Sequence, residues 1–367
     1  MKRMLTAINT AVLAFVLAVA LAISGYAASN DGYSYDLNID DIGSCEDFLD
    51  ENGIDVSDPS TIKNLTADSL LTHFLKVFRS SLKNPAKMFL TVLVLSLICE
   101  AVVSVSTKTG LNGEIFAIIC FLTVSPMVMA SFSDVISAMK SQQTFMTAYL
   151  PAFAAITAAS GNASGAITYN AILLYTSEAV TMLTGSLLKP LTGIMLVMSC
   201  TGAINPELTN LTSSVKRFMT TIIGLIMTVF VGVISLQAAV GRSGNEIALK
   251  AGKYLVSSFV PIIGMSLSES YKTVRLSLSA MRSALGAVGI VVIVVILSVP
   301  IISMCVYKIM FILLDWTCSM TGSKTLSALM RGIADVYSMV ITILLIYALM
   351  FLISTGVMIL IGGEAYI

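Results

Sequence analysis

Charged side chains set inside or beside long apolar runs are the groups with most chemical potential in this chain: Glu100, Glu178, Lys308 and Asp315. A charge at membrane depth is costly to desolvate, so such groups face protein or a wet cavity and often hold an ion, a proton or an opposite charge. Glu178 is the clearest case, about two-thirds along an apolar stretch spanning 165–184. Two readings of it stay open: a cavity-facing ligand or proton carrier, and a carboxyl held by a structural hydrogen bond or kept protonated. Glu100 lies nearer a helix end and reads as interfacial. Lys308 and Asp315 flank a short apolar turn, and the Lys308 stem is long enough to snorkel to the surface.

Other chemistries find no support. His73 is the one histidine and precedes the first long apolar run, which argues against a His-rich metal site and a Ser-His-Asp triad. The stretch from Gly244 to Lys253 ends in Gly-Lys, but its spacing is wrong and Tyr254 stands where a phosphate-binding loop needs Ser or Thr. Any ATP-driven step therefore belongs to another protein. Asp36-x-Asn38-x-Asp40 brushes against a calcium loop, yet Asp41 occupies the position that needs Gly and the closing Glu is missing. The six cysteines form no CxxC pair, and all but Cys45 lie in or beside apolar runs, as small buried hydrophobes do. The chain is expected to be no enzyme and to hold no metal or cofactor. A net charge of zero with no basic block gives no footprint for nucleic acid.

The composition requires a solvent other than water. Hydrophobic residues make up 56% of the chain and charged residues 11%, against about 25% charged in soluble proteins, and mean hydropathy is +0.91. The expected fold is all-α: a polytopic helical membrane protein of about seven to nine membrane segments, one a candidate re-entrant segment, after an N-terminal signal peptide. Lys2 and Arg3, the apolar run Val12 to Ile23 and small residues up to Ala27 read as that signal, with cleavage after Ala27 and an uncleaved first helix as the alternative. Residues 28–86 read as an acidic extracytoplasmic segment plus an amphipathic lead-in helix, and 87–367 as the multi-pass domain. Ten acidic residues and no Lys or Arg fall within 28–62, which is expected to be weakly ordered. Leu70, Leu71, Phe74, Leu75, Phe78 and Leu82 then repeat at three- and four-residue steps, a helix expected at the membrane surface.

Apolar spans are expected at 88–106, 114–132, 145–160, 165–184, 187–204, 218–240, 284–306 and 337–361. Lys and Arg divide almost evenly between the two sets of loops, so charge gives no orientation. The stretch from Gly241 to Gly289 is the least regular. Gly241, Gly244, Gly252 and Gly264 interrupt it, Pro261 sits in an apolar run too short for an upright span, and a basic interfacial helix carrying Lys272, Arg275 and Arg282 follows Glu269. A broken element of this kind is used in transporters and channels, and close helix packing accounts for glycines equally well. Glu178, Pro261, Gly264, Glu269 and Lys308 are thus the candidate functional residues.

The same stretch carries a family resemblance. Leu249-Lys250-Ala251-Gly252-Lys253-Tyr254, then Ser258-Phe259-Val260-Pro261-Ile262-Ile263-Gly264-Met265-Ser266-Leu267-Ser268-Glu269, and Leu285-Gly286-Ala287-Val288-Gly289 resemble the stage III sporulation protein AE family of endospore-forming bacteria. Leu150-Pro151 and Ala158-Ala159-Ser160-Gly161 occupy the expected earlier places. The resemblance implies a multi-pass component of a secretion-like channel complex, made in the mother cell and inserted in the membrane surrounding the forespore. It also implies other stage III membrane proteins as partners, with a separate cytosolic ATPase and ring-forming components beside the lipid bilayer. No catalytic residues come with it. The rival reading is a secondary transporter for a small solute using Glu178; a non-conducting scaffold is a further one.

Overall fold

The computed structural model describes residues 49–53, 67–105, 113–159, 163–205, much of 214–233, and 264–361. Every described element is a helix or a turn: α1 (Ala67–Ser81), α2 (Lys83–Val105), α3 (Gly113–Ala159), α4 (Ala163–Ile204), α5 (Gly264–Met320) and α6 (Lys324–Ile361), with short helical pieces between 214 and 233. The signal segment, most of the acidic segment and Pro261 lie outside the described residues.

The helix ends follow local chemistry. Asp68 in the first turn of α1 and Arg79 in its last complement the helix dipole. Pro85 falls in the first turn of α2, where its missing N–H would have had no partner anyway. The α5–α6 connection turns on Gly322, whose φ of 92° suits a residue without a Cβ. Its N–H donates to the Ser319 carbonyl at 3.3 Å, and the Lys324 N–H donates to the Gly322 carbonyl at 2.9 Å.

The helices are longer than the hydropathy breaks suggest. The expected spans 114–132 and 145–160 are one helix, α3; 165–184 and 187–204 are one helix, α4. The 284–306 span, the turn after Lys308 and the basic stretch from Glu269 all belong to α5. Among the described residues four helical stretches are long and apolar enough to cross a membrane, Asp68–Cys99, Glu114–Ala159, Leu285–Met320 and Lys324–Gly356, with the shorter apolar Pro190–Ile204 besides. The physical reason is clearest in α3. Ser133, Asp134, Ser137, Lys140 and Thr144 lower the hydropathy of its middle, yet all point outward while Val135, Met139, Phe145 and Met146 continue the buried face. The hydroxyls of Ser141, Thr144 and Thr147 donate to carbonyls one turn back, so these polar residues stay within the helix.

Four long helices form the core. α5 and α6 make an antiparallel hairpin, with Tyr307 stacked on Tyr337 at 5.3 Å and Asp315 bonded to Ser327 and Arg331. α3 runs parallel to α6, since Ser131 meets Tyr337 and the Met139 carbonyl meets Tyr347. α4 runs antiparallel to α6, since Thr181 meets Tyr347 and Ser199 packs on Gly332. α1 and α2 follow one another along α5. His73 of α1 reaches Ser298 at 3.5 Å, and Cys99 of α2 converges with Cys120 of α3 and Cys318 of α5. The lead-in helix is thus docked on the core, and from Asp68 to Cys99 it reads with α2 as one apolar stretch. Leu49 is buried beside it, and Glu51 accepts an ion-paired hydrogen bond from Lys76.

Residues 291–297 of α5 are buried without a break, as are 336–341 of α6. A helix that is apolar on all sides is stable only when something apolar surrounds it; here the neighbouring helices do.

Candidate functional site

Three buried tyrosines mark successive layers of the core. Tyr337 sits between Phe132, Tyr307 and Phe311, with ring centroids 5.2–5.5 Å away. Its hydroxyl lies 2.9 Å from Ser131 Oγ, and Ser131 spends its own proton on the Val128 carbonyl at 2.7 Å. Tyr337 is therefore the donor in that pair. Tyr347 lies 2.8 Å from Thr181 Oγ1 and 3.2 Å from the Met139 carbonyl, while Thr181 also reaches the Ser177 carbonyl. Two hydroxyl protons serve these three contacts. Tyr149 donates to the Leu285 carbonyl at 3.1 Å and stacks on Phe145 at 5.1 Å. Each ring joins two helices and each hydroxyl is satisfied, as burial of a phenol requires.

Two glycines let the helices close on these layers. A Cβ on Gly289 would lie 2.4 Å from the Tyr149 ring and hydroxyl, and one on Gly332 would lie 2.6 Å from the Ser199 Cβ. Gly289 stands in the Leu285–Gly289 motif noted in the sequence, and close approach of α3 to α5 accounts for it.

Gln142 breaks the pattern. It is completely buried on α3, and neither its amide nitrogen nor its amide oxygen has a hydrogen-bond partner. It lies one turn beyond Met139, whose carbonyl receives Tyr347, and helical side chains lean toward the N-terminus. The orphan amide is thus set between the Tyr347 and Tyr149 layers.

At the hairpin end of the core, Asp315 accepts hydrogen bonds from Ser327 Oγ at 2.5 Å, Arg331 Nε at 3.1 Å and Arg331 Nη2 at 3.3 Å. The carboxylate is buried, whereas the Arg331 side chain is 67% exposed. The group clamps α5 to α6 around the Gly322 turn.

The candidates from the sequence fall elsewhere. Glu178 is exposed on the outer face of α4 beside Tyr175 and Met182, while Ser177 and Thr181 on either side of it point inward. Lys308 is half-buried on α5 next to Tyr307. Gly264 opens α5, and Glu269, Lys272, Arg275 and Arg282 lie on its backbone before the core; their side chains are outside the described residues. The structure thus does not gather Glu178 and Lys308 into one site. The tyrosine seam and Gln142 were missed, although the buried stripe of α4 (Leu173, Ser177, Thr181, Leu188, Thr192) has helical spacing that excludes Glu178. Among the described residues no group of three His, Cys, Asp or Glu side chains could hold a metal ion.

Comparison with known proteins agrees with the motif-level resemblance. The family model for stage III sporulation protein AE matches residues 58–362. Stage III sporulation protein AE of Bacillus subtilis (strain 168) is 21% identical over 299 residues, covering 79% of this chain and 74% of that protein. No solved structure matches the chain. The matched region contains α1 to α6 entire, Gly289, Gln142 and all three core tyrosines included, and the chain belongs to the stage III sporulation protein AE family.

Proposed function

We propose that this protein is a multi-pass component of a sporulation-specific, secretion-like channel complex between mother cell and forespore. It would sit in the mother-cell membrane surrounding the forespore and serve forespore development. Family membership across the whole helical core is the observation that carries this reading. A bundle whose helices are tied by buried hydrogen bonds supports a part that shapes or docks a passage, and energy would come from a separate cytosolic ATPase, with ring-forming proteins as further partners. The exposed position of Glu178 on the outer face of α4 gives the transporter reading less support than the family match gives this one. Deletion of the gene in a spore former tests the assignment. Arrest of the forespore after engulfment is expected, restored by a wild-type copy; normal spores would contradict it.

A further inference from the structure

We propose that the bilayer encircles only one half of the bundle, and that the more apolar half, built around residues 285–306 of α5 and 337–351 of α6, stands outside the lipid in a polar-faced sheath. This rests on the membrane reading above and says which surface meets acyl chains.

The argument begins on a single helix. Along α3 the inward face is apolar from Ala117 through Val124, Val128, Phe132, Val135, Met139, Phe145 and Tyr149 to Phe153. Its outward face changes character. Ile115, Ile118, Ile119 and Leu122 are exposed in the first half, Leu122 to 63%. From Ser133 to Thr147 the exposed positions are Ser133, Asp134, Ser137, Lys140, Thr144 and Thr147, and beyond them the exposed residues are the small Ala148, Pro151, Ala155 and Ala159. The core does not change along this helix, so the surroundings do: lipid suits the first outward face and water the second.

Neighbouring helices agree at the same levels. The convergence of Cys99, Cys120 and Cys318 aligns α2, the start of α3 and the end of α5. In that half the exposed residues include Leu90, Val94, Leu97 and Ile98 of α2, and Ile309, Leu313 and Trp316 of α5. Ile194 and Val197, near the end of α4, join them through the contact of Ser199 with Gly332. The change on α3 at Phe132 is level with Tyr307 and Tyr337, next to Lys308. Lys83 and Lys87 are exposed at the start of α2, where headgroup phosphates would meet them. Residues 114–132 of α3 and 88–105 of α2 are each about 27–29 Å long at 1.5 Å per residue, close to the roughly 30 Å of a hydrocarbon core.

The other half fits water and the boundary. Glu178 and Lys140 are exposed there without any membrane cost. α1, which runs along α5 ahead of α2, mixes exposed Leu71, Leu75 and Phe78 with exposed Lys76 and Arg79. Among the described residues of this half, Tyr175 and Met182 of α4, with Glu178 between them, and Leu349 of α6 at 36% are exposed apolar exceptions. The Asp315–Arg331 pair falls on the lipid side, where Arg331 is neutralised by its partner and is long enough to snorkel.

The test is spin-label accessibility on the full chain in liposomes, with Cys45→Ser and the partly buried Cys305→Ser, and labels at Ile118→Cys, Leu122→Cys, Thr144→Cys and Thr147→Cys. Sites 118 and 122 should be relaxed by oxygen and protected from a water-soluble nickel chelate, while 144 and 147 should be at least threefold more accessible to the chelate. Oxygen-dominated spectra at 144 and 147, or immobile labels there protected from both reagents, would overturn the proposal. Chelate access at all four sites would contradict the membrane reading itself. Lysine substitution is a second measure that needs no label: Thr144→Lys and Thr147→Lys should accumulate in membranes as the parent does, and Ile118→Lys and Leu122→Lys should not. Equal loss at all four positions would count against the proposal.

Discussion

The α5–α6 hairpin and the α1–α3 shell are both apolar enough to be read as membrane spans, yet protein covers them very differently. In the most apolar windows of Leu285–Met320 and Lys324–Gly356, 78% and 72% of residues are buried, against 28% and 33% in Asp68–Cys99 and Glu114–Ala159. The hairpin windows are also the more hydrophobic pair. Hydropathy alone does not say whether an apolar helix faces lipid or protein. What does say so is the distribution around the helix: all-round apolarity with close glycine contacts in α5, and one apolar outward face on α2 and early α3.

Substitutions that treat the two regions alike should have unlike effects. The largest is expected at Gly289. Gly289→Ala forces the Tyr149 ring to move and should cost about 1–3 kcal/mol, read as a lowered midpoint of thermal unfolding in detergent. Gly193→Ala and Gly356→Ala, where a Cβ meets nothing within 4 Å, should hold or slightly raise that midpoint. Next comes Asp315→Asn, which removes the charge that holds Arg331. Its cost should be about 1 kcal/mol, well below the roughly 3–5 kcal/mol for breaking a fully buried pair, because Arg331 is largely exposed. A double variant with Arg331→Met should recover part of the loss, and equal loss in both would show that the pair does not act together. Tyr337→Phe should cost about 0.5–1.5 kcal/mol, since Ser131 keeps its bond to the Val128 carbonyl. The smallest effect in size, and the one of opposite sign, is expected for Gln142→Met. Removing two unpaired buried polar atoms at similar volume should leave stability unchanged or raise it slightly. If that variant melts higher yet fails to restore sporulation to a deletion strain, the amide serves function at a cost in stability.

Much of the architecture was legible in the residues. Low charge and long apolar runs point to helices in an apolar solvent, and the spacing of Pro261-x-x-Gly264 and Leu285 to Gly289 carried the family. The helix lengths were not, because a hydropathy window averages around the helix. Asp134 to Thr144 therefore looks like a loop, although its polar residues occupy one face and Met139 and Val135 another. Glu178 shows the same averaging: inside an apolar run it reads as interior, whereas the buried stripe through Ser177 and Thr181 turns its side chain outward. The tyrosine layers depend on pairings between residues far apart in sequence, such as Ser131 with Tyr337 and Tyr149 with Leu285, which no local pattern encodes.

The difference between the hairpin and the shell can be read directly with a lipid-soluble photoreactive probe in liposomes, followed by peptide mapping. Label should concentrate on peptides from α2 and residues 114–132 of α3, with α5 residues 285–306 close to background. Labelling of 285–306 as strong as that of α2 would contradict the account, because it would place lipid against the helix that the structure surrounds with protein.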